Sequence, residues 1–136
     1  MRGVYNIGEA SKMSGVSAKM IRHYESLGLL PKARRTDSGY RQYSTEDIHS
    51  LRFVRTSRDL GFSLDEIQQL LSLWSNKRRA SRDVRRLVEK HVEELNQKIV
   101  DLQRMRDSLK NLAQCCHGDE RPECPILDQL AEGEPT

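Results

Sequence analysis

Residues 6–30, NIGEASKMSGVSAKMIRHYESLGLL, decide the fold. Asn6 to Ser14 reads as a short helix with Ile7, Ala10 and Met13 facing inward, Gly15-Val16 as a tight turn, and Ser17 as the cap of a second helix. The second helix, about residues 17–27, puts Met20, Ile21, Tyr24 and Leu27 at helical spacing and leaves Lys19, Arg22 and His23 pointing elsewhere. Gly28 ends it at a typical C-terminal position. Two short helices joined by a glycine turn form a helix-turn-helix.

Outward from that pair, the chain changes character. Pro31, the basic run Lys32 to Arg35, and Thr36-Asp37-Ser38-Gly39 before Tyr40-Arg41-Gln42-Tyr43 predict two short strands around a turn, a wing. Ser44-Thr45-Glu46-Asp47 has the composition of a capped, acid-rich helix start, with Ile48, Leu51, Val54 and Leu60 as its buried stripe and Gly61 as its stop. Ser63 with Glu66 restarts a helix that runs to about Trp74, and a basic loop, Asn76 to Arg79, follows. From about Ser81 to Ala113 there is neither Pro nor Gly. Val88, Val92, Leu95, Ile99, Leu102 and Leu109 follow steps of four and three, with Arg106 breaking the seam and Met105 beside it. At 1.5 Å per residue this helix is roughly 50 Å long. Pro125 then sits in the first turn of a short helix, residues 126–131, before a frayed tail. The fold class is mainly α. A winged helix-turn-helix head with a small β wing occupies residues 1–74, a linker 75–80, a long dimerisation helix 81–113, and a loop, short helix and tail 114–136.

Composition narrows the class. Only 36% of the 136 residues are apolar and 32% are charged, which argues against one globule with a large core. The apolar seam of the long helix needs cover, and so little chain elsewhere points to a second copy, a homodimer. The net charge of +3 hides an asymmetry: residues 1–62 carry eleven Lys/Arg against six Asp/Glu, whereas residues 114–136 carry one Arg against six acids. The front suits a polyanion; the tail would favour a cation without selecting one. No stretch approaches the roughly 20 apolar residues of a membrane span and no signal-peptide core is present, so the expected location is cytoplasmic, with no membrane partner. Three cysteines, an odd count, are there more plausibly ligands or free thiols than a disulfide framework. No nucleophile with a base, paired carboxylates or phosphate loop stands out, so an enzyme is not expected.

A helix-turn-helix lays its second helix in the major groove of double-stranded DNA, where Lys19, Arg22 and Tyr24 could reach bases or phosphates and Ser17 a phosphate oxygen. Arg35, Tyr40, Arg41 and Tyr43 of the wing would grip the flanking backbone. Taken singly, each charge is equally a solvated surface group, and Tyr24, Tyr40 and Tyr43 are equally core aromatics. Clustered on one helix-turn-helix and wing, they point to DNA.

Asn6-Ile7-Gly8-Glu9-Ala10, Ile21-Arg22-His23-Tyr24-Glu25 with Gly28-Leu29-Leu30, and Gly39-Tyr40-Arg41-Gln42-Tyr43 together resemble the winged-helix head of the MerR family of regulators, over residues 1–74. The resemblance implies a homodimer joined by antiparallel long helices, here through Val88, Val92, Leu95, Ile99, Leu102, Met105 and Leu109. It also implies a palindromic promoter whose spacer is longer than RNA polymerase prefers, and activation by distorting DNA. Bending and untwisting cost of order 1–6 kcal/mol, a scale that differential ligand binding can tip.

Cys116 and Cys124 frame the C-terminal loop, Cys-His-Gly-Asp-Glu-Arg-Pro-Glu-Cys. Two lone cysteines are more often small buried residues than ligands. The loop, with Cys-Pro-Ile after the gap, is similar to the metal loop of CueR- and HmrR-type copper-efflux regulators, which implies Cys116 and Cys124 as metal ligands. Two thiolates suit Cu(I) and its congeners Ag(I) and Au(I) in near-linear coordination, whereas Zn(II) prefers four donors. A helix N-terminus behind Cys124 would favour its thiolate form. In members sensing zinc or mercury, the start of the long helix resembles a third ligand Cys given by the partner; in copper-type members it is Ser, here Ser81, an indirect selectivity residue or simply a helix N-cap. Cys115 and His117 depart from the simplest pattern; Cys115 is expected to pack at the helix end. The alternatives are a thiol redox sensor of the same DNA-binding class, closing a Cys116–Cys124 disulfide, and a zinc-binding structural or interaction protein needing further ligands.

Overall fold

The computed structural model describes residues 3–31, 33–115, 118–120 and 122–133. The chain forms two compact units, Met1–Val84 and Arg85–Thr136.

In the first unit, strand β1 (Val4–Tyr5) leads into helices α1 (Ile7–Ser14) and α2 (Ala18–Ser26). Strands β2 (Arg34–Arg35) and β3 (Arg41–Ser44) form the wing, and helices α3 (Thr45–Asp59) and α4 (Leu64–Ser75) follow. The sheet order is β1-β3-β2, antiparallel throughout, with Tyr5 opposite Tyr43 and Arg35 opposite Arg41. The two-residue β1 was not among the expected strands. It extends the wing hairpin by a third strand and brings the chain start beside the wing.

Three helices start from reciprocal capping boxes. Asn6 and Glu9 cap α1, Ser44 and Asp47 cap α3, and Ser63 and Glu66 cap α4, each side chain accepting a backbone N–H across three residues. Ser17 caps α2 by accepting from the Met20 N–H at 3.2 Å. Each such bond satisfies a donor the helix start leaves orphaned and is worth about 1 kcal/mol.

Helix ends explain where the expected core shifts. Met13, Leu27 and Leu60 were expected inside and are exposed. Both α2 and α3 close with a residue at the cap and then a left-handed glycine: Leu27 before Gly28, and Leu60 before Gly61. The Leu29 N–H reaches back to the Tyr24 carbonyl at 3.0 Å and that of Phe62 to the Ser57 carbonyl at 3.1 Å. This reversal turns the cap residue outward and folds the residue after glycine inward, so Leu29 and Phe62 take the buried places. Gly15, at φ 75°, is itself the cap of α1, and Val16, whose N–H donates to Ser14 Oγ at 3.2 Å, is buried while Met13 is exposed. The core collects Ala10, Ile21, Ile48, Leu51, Val54 and Ile67, with Tyr43 among its largest buried side chains.

The second unit continues helix α5 (Ser81–Cys115, 35 residues) and ends in α6 (Pro125–Glu132), with Pro125 in its first turn and left-handed Gly133 as its cap. Along α5, Leu95 is half-buried while Val88, Val92, Ile99, Leu102, Met105 and Leu109 are exposed. None of the described helices is long and apolar enough to cross a membrane.

Candidate functional site

The helix-turn-helix presents Ser17, Lys19, Arg22 and His23 on the exposed side of α2 while Ile21 and Tyr24 face the core. The cationic face therefore exists as expected. Tyr24 is buried, with its ring 6.2 Å from that of His23, so its role in this unit is packing beneath the exposed face.

The wing divides in two. At its tip, Tyr40 is exposed, and Arg35 Nη1 donates to the Gly39 carbonyl at 2.9 Å, which ties the strand to the turn. The turn itself is closed by Thr36: its N–H donates to the Tyr40 carbonyl at 2.8 Å and its Oγ1 accepts from the Tyr40 N–H at 3.1 Å. At its base, Arg41 and Tyr43 turn towards α2. Tyr43 is 2% exposed and its hydroxyl donates to Glu25 Oε2 at 3.2 Å, so the phenol expected to grip DNA is instead held inside the head. Burial, then the Glu25 charge and its hydrogen bond, push the Tyr43 hydroxyl up to about 12. Arg41 Nε lies 3.4 Å from the same oxygen, a half-buried ion pair.

Three residues outside the expected set shape this surface. Glu25 gathers the Tyr43, Arg41 and Ala33 contacts, its Oε1 accepting from the Ala33 N–H at 3.0 Å. Arg52 Nε donates to the Met13 carbonyl at 2.9 Å, bracing α3 against the end of α1. Arg55 lies over Gly15, so close that a Cβ there would collide with Nη1. Glu25 closes the Arg-His-Tyr-Glu motif in sequence without showing what it touches, and arginines three apart on α3 look like ordinary surface charge; tertiary placement gives both their role.

In the second unit, Cys115 is the last residue of α5 and is exposed, not packed as expected. Cys116 and His117 lie outside the described residues. Cys124 is half-buried at the N-cap of α6, where its side chain makes no capping bond and its carbonyl accepts from the Asp128 N–H at 3.2 Å. Its sulfur is thus free of a structural hydrogen-bonding task at the helix start. Asp119, Glu120 and Glu123 around it are exposed. A largely apolar groove of about 860 Å³ runs between the last turns of α5 and α6, lined by Met105, Leu109, Leu112 and Leu130 among others. Ser81 is exposed as the first residue of α5 itself, one place inside the helix from a cap.

Residues 5–74 match the family described as "MerR HTH family regulatory protein", and residues 48–112 match "MerR, DNA binding". The chain is 56% identical to "Heavy metal-dependent transcription regulator 2" of Rhizobium meliloti, over 94% of this chain and 87% of that one. It is 39% identical to the regulator CueR of Salmonella typhimurium, over 93% and 91%. A transcription regulator from Ralstonia metallidurans, solved in complex with lead(II), superposes with a TM-score of 0.81 at 33% identity, covering 91% of this chain and 97% of that one.

Proposed function

This chain belongs to the MerR family of DNA-binding transcription regulators, which act as dimers on promoter DNA and are not enzymes, and from that premise we propose that it is a Cu(I)-responsive activator of copper efflux or resistance genes. It works in the cytoplasm as a homodimer on a palindromic promoter. Lys19 and Arg22 of α2, with Ser17, meet the groove, and Arg35, Tyr40 and Arg41 meet the flanking backbone. Val88, Val92, Leu95, Ile99, Leu102, Met105 and Leu109 of α5 form the seam between protomers. Activation comes from reshaping the promoter for RNA polymerase, a deformation of order 1–6 kcal/mol.

One observation supports the choice of ion above the others: Cys124 stands at the head of α6 with its side chain making no cap bond, and the start of α5 offers Ser81 where a third thiolate would be needed. Cys116 and Cys124 would then hold the ion alone. Two sulfurs satisfy Cu(I), Ag(I) or Au(I) and leave Zn(II), which prefers four donors, short of ligands. The relatives include a heavy-metal-dependent regulator, CueR and a lead(II)-bound regulator, so donor number and not degree of likeness separates the ions.

In vitro transcription from a long-spacer promoter, titrated with buffered Cu(I), Zn(II), Hg(II) and Pb(II), tests this. Cu(I) alone should activate. Cys116→Ser and Cys124→Ser should abolish induction while operator affinity stays within about threefold of wild type, since phosphate and base contacts lie in the other unit. Activation by Pb(II), Zn(II) or Hg(II) at lower free ion, or by oxidant without metal, would defeat the copper assignment.

A further inference from the structure

Glu25 occupies the last turn of α2, yet its carboxylate serves the wing. Oε1 accepts from the Ala33 N–H at 3.0 Å, just before β2, and Oε2 accepts from the Tyr43 hydroxyl at 3.2 Å, on β3. Arg41 Nε, also on β3, lies 3.4 Å from Oε2, with the two side chains 31% and 11% exposed. One carboxylate thus ties both wing strands to the helix that carries Lys19 and Arg22. Hydrogen bonds to an ionised acceptor are roughly twice as strong as neutral ones, and partial burial reduces their loss to solvent screening. The strands it holds are two and four residues long, too short to fix their own angle to α2.

We propose that Glu25 is a positioning residue that locks the wing to the groove-binding helix, so that flanking phosphates and groove are engaged as one rigid unit. Helix-to-phosphate register is what lets a protein impose a shape on DNA rather than follow the shape it finds. Without the lock, the wing docks independently and its ordering must be offset at the moment of binding. The inference rests on the family's DNA binding and not on the identity of the inducing ion.

The test uses the full-length dimer without metal. One probe is a long palindromic duplex selected by the wild-type chain from a random pool, and the other is the same duplex trimmed to the bases beneath the two α2 helices. Glu25→Gln preserves shape and one acceptor oxygen but removes the charge. It should weaken binding to the long duplex about tenfold and to the trimmed duplex less than twofold, because only the long one offers phosphates to the wing. Tyr43→Phe should act in the same direction, and combining E25Q with Y43F should cost less than the product of the separate losses, as for residues sharing one network. If E25Q lowers the melting temperature until neither duplex binds, Tyr43→Phe, which removes a single hydroxyl, carries the comparison. Equal losses on both duplexes, or fully multiplicative losses in the double variant, would overturn the positioning role. A failed copper titration with a passed duplex comparison would sink the inducer and spare the lock, and the reverse would do the opposite.

Discussion

At the scale of a residue, Tyr43 shows how a polar group changes meaning when a fold closes over it. In sequence its phenol is a phosphate donor on a wing; in the structure it is buried and its hydroxyl donates to Glu25 Oε2. Ionising it would place a phenolate in a dry site against a carboxylate, which is why its hydroxyl is pushed up to about 12 from 10.0. The folded chain therefore keeps a proton between pH 10 and 12 that the unfolded chain releases. Stability from this group is complete below pH 10 and is lost as pH rises through 12, a difference of roughly 2–3 kcal/mol at the upper end. Tyr43→Phe should flatten the fall in unfolding free energy above pH 10. It should also remove the late component of the tyrosinate absorbance titration; a late component that survives in the variant would place the raised hydroxyl elsewhere.

At the scale of an element, the starts and stops of the head's helices were legible, and the facing of the residues at their ends was not. Ser44 with Asp47 and Ser63 with Glu66 announce themselves because a capping box is a local contract between residues three apart. The ends of α2 and α3 depend on a chain reversal at Gly28 and Gly61, and helical periodicity continued past that point assigns Leu27 and Leu60 to a core they do not enter. Strand β1 escaped notice because two residues carry no alternation; it exists only through its pairing with β3. The reversal has an energetic signature. Phe62→Ala should destabilise the chain by about 3 kcal/mol, the cost of emptying a core site. Leu60→Ala, two residues away, should change stability by under about 0.5 kcal/mol, as exposed positions do. Chemical denaturation at one fixed protein concentration measures both, and comparable losses would mean that the cap leucine is covered after all.

At the scale of the whole molecule, the sequence spoke most clearly where the pattern is longest. Residues 88–109 alternate steps of four and three, and α5 forms without interruption from Ser81 to Cys115. Around the thiols, the N-cap position of Cys124 follows from Pro125, but the exposure of Cys115 contradicts the packing expected of it. What the single chain leaves uncovered is informative. Leu102 is 62% exposed and Ile99 51%, a row of side chains that each stand to gain about 1.5–3 kcal/mol on full burial. In the dimer proposed above, a partner helix would supply that burial, and the pairing would set how two heads meet one palindrome. Leu102→Glu should put a charge into the middle of the proposed apolar seam, where burying it against a partner helix is costly. The variant should sediment as a monomer at micromolar concentration with its head still folded. Because two linked heads bind with an effective concentration that a lone head lacks, its operator affinity should fall by about a hundredfold or more, while affinity for a single half-site changes little. A stable dimer in the variant, or equal losses on half-site and full operator, would show that the apolar row of α5 is not what joins the protomers.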